Sequence, residues 1–382
     1  PVSSIAFHPN PSSPSTSRQL LVSSWDSTVR LYQLPEASSA DGETKSSRIQ
    51  QIHTFQHEAP VLDTCWINER LAASGGVDRR VRLLDLTTGE ATIIGKHSSA
   101  ISRIRYEPST NLLISASWDR TLQLWDPTSS PPRHLKTLSL PDKVLAMDVS
   151  PPFPSSALLK GGEKKTLVVA MTGRQLKIYD LVELRSKVDQ IKDGEEDAQE
   201  WEAEQTRESS LKYMIRDLRC SADGIGYATS SVEGRISVEF LDPSSEAQAK
   251  KYAFKCHRVV VDGVDTVYPV NAMGYNPLHG TFFSLGGDAF LSYWDPYLKK
   301  RIRQLPQYPS PLSTAAFSAD GQILVVASGA ENLEEKPSPE EMTRAKGIVG
   351  EMNAEVGGIG KGGEGRVRLW VREKGGEECK PR

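Results

Sequence analysis

Four cysteines in 382 residues (Cys65, Cys220, Cys256 and Cys379), with no C-x-x-C spacing, are too few and too scattered for a disulfide framework or a zinc site. Histidine is also scarce, and the seven present (positions 8, 53, 57, 97, 134, 257 and 279) include no pair at helical metal-ligand spacing. No run approaches the ~18 consecutive apolar residues of a membrane-spanning helix, and the opening PVSSIAFHPN lacks a basic stretch followed by an apolar one. Neither sign of charge dominates: a formal net charge of −3 and a pI near 6.2 give no overall basic footprint for nucleic acid. Catalytic signatures are missing as well, among them G-x-S-x-G, H-E-x-x-H, the Walker loop and the dinucleotide fingerprint. With 38% apolar and 25% charged residues the chain has the make-up of a globular protein. Together these features predict a non-enzymatic protein of the cytosol or nucleus, with no cofactor, no metal, no direct nucleic-acid contact and no membrane association.

What the sequence does have is a repeat. An acidic turn residue followed by alternating apolar positions occurs in SSWDSTVRLY (23–32), ASGGVDRRVRLLD (73–85), SASWDRTLQLWD (115–126), AMTGRQLKIYD (170–180), SSVEGRISVEFLD (230–242), SLGGDAFLSYWD (284–295) and GEGRVRLW (363–370). The turn position is held by Asp26, Asp78, Asp119, Gly173, Glu233, Asp288 and Glu364. Each turn follows a short apolar strand, such as QLLVSS or TLVVAM, and each of those follows another, such as VSSIAFHP or PVLDTCW. Three strands per period, seven times over, point away from an unrelated β-sandwich. The pattern resembles the WD-repeat family, whose blades run to ~40–45 residues, about the separation of Asp78 and Asp119. The expected fold is therefore all-β, a single seven-bladed WD-repeat β-propeller over residues 1–382. His57 and His97 stand four residues before Val61 and Ile101, where WD repeats carry a histidine that bonds the turn aspartate. Only fragments of the full Asp-His-Ser-Trp set are legible. Asp26, Asp78, Asp119 and Asp288 occupy one repeated turn, which marks them as structural carboxylates rather than catalytic ones, and Cys65 and Cys220 read as small core residues.

Three stretches lengthen the periods: 151–165 and 331–364, rich in Pro, Gly, Lys and Glu, and 187–207, which contains the acidic run GEEDAQEWEAEQ. They are expected to be flexible, exposed insertions. Residue 1 opens on an inner strand, so the sequence predicts that the outer strand closing the ring lies upstream of it.

Propeller topology assigns starts of first strands, second-to-third turns and ends of fourth strands to one face, the top. Trp25 and Trp118, each just before a turn aspartate, belong there, and two exposed indoles are hard to explain by folding alone. Trp125, Trp294 and Trp370 end third strands and Trp66 an inner one, all structural positions. The fifth repeat adds Arg216, Arg235 and Lys255 to the same face, cations suited to an anionic guest such as phosphothreonine. Spacing alone leaves open whether Arg235 instead pairs with Glu233 or Glu239.

The segments ESSLKYMIRDLR (208–219), SSVEGRISVEFLDPSSEAQAKKYAFKCHR (230–258), YPVNAMGYNP (268–277) and LVSSWDSTVRLY resemble the WD-repeat proteins of the budding-uninhibited-by-benzimidazole checkpoint group, over the whole propeller. That resemblance implies a mitotic spindle checkpoint adaptor of the nucleus and kinetochore, a monomeric propeller working within hetero-complexes. Its implied partners are a checkpoint kinase and its kinase-like relative, held through GLEBS segments, and a kinetochore scaffold carrying phosphorylated Met-Glu-Leu-Thr repeats. Carried onto this chain, it assigns GLEBS contact to Trp25, Trp118 and Arg216, and phosphothreonine contact to Arg235 and Lys255. The insertion around Trp201 and the long segment from 331 depart from the family pattern. The paralogous messenger-RNA export factor, which binds a nucleoporin GLEBS segment, is similar around LKY and CHR but less so over LDPSSEAQAKKYAFKCHR. A substrate receptor of a ubiquitin ligase is a third possibility for any WD propeller, though no residue here selects it.

Overall fold

Seven four-stranded antiparallel sheets follow one another along the chain, and a separate two-stranded hairpin is inserted between the fifth and sixth. This computed structural model describes residues 1–10, 17–35, 49–153, 158–159, 164–191, 200–329, 353–355 and 367–381. The first strands of the sheets are Val2–Phe7, Val61–Trp66, Ile101–Glu107, Val144–Ser150, Ile215–Cys220, Val270–Tyr275 and Leu312–Phe317. Each packs against the first strand of the next sheet, and that of blade 1 packs against those of both blade 2 and blade 7, so the ring is closed. Second strands are buried almost throughout and third strands mostly so, because the faces of each sheet are covered by neighbouring blades. The fourth strands lie at the rim and are largely exposed, as in Gln50–Gln56 and Ala91–Lys96.

One backbone bond recurs in every blade. The residue at or just after the end of the second strand donates its N–H to the carbonyl just before the first strand: Trp25 to Pro1, Val77 to Pro60, Trp118 to Ala100, Thr172 to Lys143, Val232 to Met214, Gly287 to Pro269 and Gly329 to Pro311, all between 2.9 and 3.2 Å. These seven bonds fix the second-to-third turns to the strand starts and so define the top face.

Two complete Asp-His-Ser-Trp sets hold the blades, where the sequence shows only fragments. In blade 3, His97 Nδ1 meets Asp119 at 3.1 Å, its Nε2 meets the Ser115 hydroxyl at 2.8 Å, and Trp125 Nε1 donates to that hydroxyl at 3.0 Å. In blade 6, His257 does the same with Asp288 (2.9 Å), Ser284 (2.8 Å) and, through Ser284, Trp294 (2.8 Å). A carboxylate can only accept, so Nδ1 carries the proton, serine donates to Nε2, and the indole N–H completes the chain. Blade 2 keeps only His57 to Ser74 (2.8 Å), since Asp78 is turned to Arg82 and no tryptophan ends its third strand. Burial lowers the pKa of His97 and, together with the charge of Arg82, brings His57 down to about 4.

The channel-facing residues add an ion network across blades. Arg105 bridges Asp63 (2.6 Å) and Asp148 (3.0 Å), while the second oxygen of Asp148 accepts the Cys220 N–H and Asp217 accepts that of Met273. Each carboxylate therefore ties its own blade to a following one, which fixes register as much as it stabilises. Near the opposite, bottom mouth Arg105 and Asp148 join Phe7, Trp66, Tyr275 and Phe317 around a cavity of about 770 Å³.

The insertions differ from expectation where they are described. Residues 187–190 end a helix, Leu181–Gln190, capped by Asp180, and Gln205–Glu208 is the fourth strand of blade 4. Trp201 is buried against Leu184, Val188 and Leu138, with Lys136 over its ring at 5.0 Å, so it seals the outer seam of blades 3 and 4. Phe153 and Leu158, from the 151–165 stretch, pack on the core between blades 5 and 6. Within 331–364 only Asn353–Glu355 is described: it pairs with Val367–Arg372 at the outer edge of blade 7, the position for which the sequence expects an upstream strand. Glu364 lies outside the described residues.

Candidate functional site

The exposed indoles follow from how the Ser-Trp-Asp turns are built. In blade 3, Ser117 Oγ donates to the Ala100 carbonyl and accepts the Asp119 N–H, while Asp119 Oδ1 accepts the Thr121 N–H at 3.0 Å. Blade 1 repeats this with Ser24, Asp26 and Thr28. Serine and aspartate satisfy the turn and the tryptophan between them is left outside, 50% exposed at Trp25 and 38% at Trp118, far above the few per cent of Trp125 or Trp370. Hydrogen bonds from Thr121 and the neighbouring His97 hold the Asp119 carboxyl below its usual pKa against the upward pull of burial, so it stays ionised.

Val77 occupies the equivalent place in blade 2, makes the same backbone bond and is 37% exposed. Blades 1 to 3 thus present Trp25, Val77 and Trp118 at one repeated position of the top face. Blade 5 adds Tyr213 and Met214, 58% and 49% exposed, immediately before its first strand. Sequence reasoning alone does not single out these three. The repeat alignment carries the signal for Val77, which shares the position of Trp25 and Trp118, whereas Tyr213 and Met214 have the sequence of ordinary strand-flanking residues.

Arg216 follows on the first strand of blade 5, exposed and with no ion-pair or hydrogen-bond partner among the described residues. Its neighbour Asp217 is unavailable to neutralise it, being committed to the Met273 N–H and to Arg219. Arg235 and Lys255 lie directly opposite each other across the third and fourth strands of the same blade. Like charges in that register repel. Lys255 is exposed and has no partner among the described residues, and Arg235 has only Glu233, its Nε 3.5 Å from a carboxylate oxygen. Glu239 is not its partner, since it bonds Ser237, Ser210 and Tyr227 inside the blade.

Gly234 sets this geometry. Its φ is +63°, and a Cβ there would meet the Cys256 carbonyl at 2.6 Å and Val267 at 3.0 Å, so only glycine lets the turn approach the fourth strand and the hairpin beyond it. That hairpin, Arg258–Val261 and Val264–Val267, lies outside the repeat pattern of the sequence; its Arg258 bonds Asp265 and the Glu233 carbonyl beside the cation pair.

The structure therefore places all five sequence-selected residues on the top face, with Arg235 and Lys255 brought into register and Trp25, Trp118 and Arg216 distributed over blades 1, 3 and 5. Its chemistry is that of a recognition surface, apolar and aromatic on one side and cationic on the other. The turn aspartates are spent on backbone amides, and among the described residues no group of three or more His, Cys, Asp or Glu could hold a metal ion. The four cysteines are buried, and burial pushes the pKa of each thiol up, which leaves them unreactive.

Comparison with known proteins is consistent with this architecture. The "WD domain, G-beta repeat" family model matches residues 1–33 and 90–126. The chain is 41% identical to "Mitotic checkpoint protein BUB3.1" of Arabidopsis thaliana, over 82% of this chain and 81% of that protein. It is 36% identical to "Mitotic checkpoint protein bub3" of Dictyostelium discoideum, over 86% and 85% respectively. Similarity to "mRNA export factor GLE2" of Chaetomium thermophilum is lower, 28% over 85% of this chain and 80% of that protein.

Proposed function

The chain belongs to the BUB3 family of mitotic checkpoint proteins, and from that premise we propose that it is a non-enzymatic adaptor of the spindle checkpoint which joins two peptide ligands on one face. The first ligand is the GLEBS segment of a checkpoint kinase or its kinase-like relative, laid across Trp25, Val77 and Trp118 and anchored by Arg216. The second is a phosphorylated Met-Glu-Leu-Thr repeat of a kinetochore scaffold, whose phosphate engages Arg235 and Lys255. With these partners the protein would work in the nucleus and at the kinetochore. The observation that carries the reading is the cross-strand pairing of Arg235 with Lys255, a repulsive arrangement that a dianionic phosphate would relieve.

Calorimetry on the propeller with a Met-Glu-Leu-Thr peptide, phosphorylated and unphosphorylated, tests it. Binding is expected only for the phosphorylated form and should weaken as salt rises, because charges on an exposed face are screened. If neither form bound while a nucleoporin GLEBS peptide bound tightly, the chain would instead do the work of its messenger-RNA export relatives.

A further inference from the structure

We propose that Glu233 is an attenuator of the phosphothreonine site, a built-in competitor whose charge weakens phosphopeptide binding rather than supporting it. This deepens the phosphothreonine reading of Arg235 and Lys255 and rests on it.

The other acidic turn residues of the described blades are all used by the fold. Asp26, Asp78, Asp119 and Asp288 each accept the N–H two residues on, at 3.0 to 3.2 Å. Each also meets a buried cation or imidazole: Arg30, Arg82, His97 and His257 respectively. Glu233 stands at the same turn position and does neither. Its extra methylene carries the carboxylate past the amide, and the residue four places on, where blades 1 and 2 have arginine, is Ser237. One oxygen, Oε1, is buried without any hydrogen-bond partner, although the side chain is only 16% exposed.

The other oxygen lies 3.5 Å from Arg235 Nε, and that Nε has no hydrogen-bond partner either. The pair is thus joined by charge and not by a directional bond. A residue that oriented Arg235 for its ligand would grip it with aligned, short hydrogen bonds. What remains is Coulombic: Glu233 offsets one of the two opposed cations, and its negative charge, 3.5 Å from Arg235, acts against any phosphate that Arg235 attracts. The consequence is a site that holds a phosphopeptide reversibly.

The test is calorimetry on the full chain with the phosphorylated Met-Glu-Leu-Thr peptide. Glu233→Gln keeps the shape and removes the charge, and it should lower Kd roughly three- to tenfold while making binding fall more steeply with salt. Glu233→Asp, which withdraws the carboxylate by one methylene, should fall between the two. In an Arg235→Ala background, titrated at low salt, the gain from Glu233→Gln should shrink, because only direct repulsion of the phosphate is then left to relieve, an effect that a merely structural role for Glu233 would not produce. Unchanged or weaker binding by Glu233→Gln, with its melting temperature retained and the wild-type protein binding phosphate-dependently, would overturn the proposal. A wild-type protein that did not bind the phosphopeptide would instead overturn the phosphothreonine reading on which it rests.

Discussion

Replacing His257 by alanine cuts the bonding chain that ties the end of the cationic fourth strand of blade 5 to the core of blade 6. The imidazole side chain is 1% exposed and bonds Asp288 at 2.9 and 3.0 Å and Ser284 at 2.8 Å. The bond to the carboxylate is worth about 2 kcal/mol and the one to serine about 1 kcal/mol, so the loss should be about 3 kcal/mol. Asp288, with a side chain 4% exposed, would keep only the Phe290 N–H and become a buried, poorly satisfied charge. For 382 residues the unfolding entropy is about 0.8 kcal/mol/K, so the melting temperature should drop by about 4 °C. Thermal unfolding followed by circular dichroism measures this, and the double variant with Asp288→Ala should lose less than the two single losses added together. A drop below about 1 °C, or strict additivity, would refute the idea that this network carries load in the blade.

Further outcomes follow from the same geometry. Trp25→Ala and Arg216→Glu should each weaken GLEBS-peptide binding roughly tenfold or more while leaving phosphopeptide affinity within about twofold, as surface-plasmon titrations with each ligand would show; equal damage to both ligands would mean the face is not divided as proposed. Stability should also fall as the solution is acidified. His57 is held neutral, with its pKa lowered from 6.5 to about 4 by burial and by Arg82, so the unfolded chain binds the proton first. Its contribution is whole above about pH 6.5, declines as pH falls towards 4, and amounts to about 3 kcal/mol. Urea unfolding between pH 7.5 and 4.5 should show this slope, and His57→Gln should flatten it.

Much of the fold is legible in the sequence because the first three strands of each blade are buried against neighbours and carry an apolar, β-branched pattern closed by a fixed turn. The fourth strands carry no such pattern. Residues such as Gln50–Gln56 or Lys300–Gln304 are exposed at the rim, and solvent does not impose an alternation on them. The second bonding set is not legible in the sequence because His257 lies 13 residues before the strand it serves, with the hairpin in between, whereas His57 and His97 stand four residues before theirs. Trp201 looked like part of a solvated acidic run, yet its indole is drawn into the seam between blades 3 and 4, an environment that composition does not report. At the top face, the exposure of Trp25 and Trp118 could be inferred from their repeated position. That Arg235 opposes Lys255, and that Glu233 touches Arg235 without a hydrogen bond, depends on strand register and side-chain rotamer.

The central claim is that one propeller holds both ligands together, and a bridging assay tests it most directly. With a kinase GLEBS peptide immobilised, the chain should capture a labelled phosphorylated Met-Glu-Leu-Thr peptide; Arg235→Ala should abolish that capture while the propeller itself stays bound. Competition between the two peptides, so that each displaces the other from the propeller, would contradict the account.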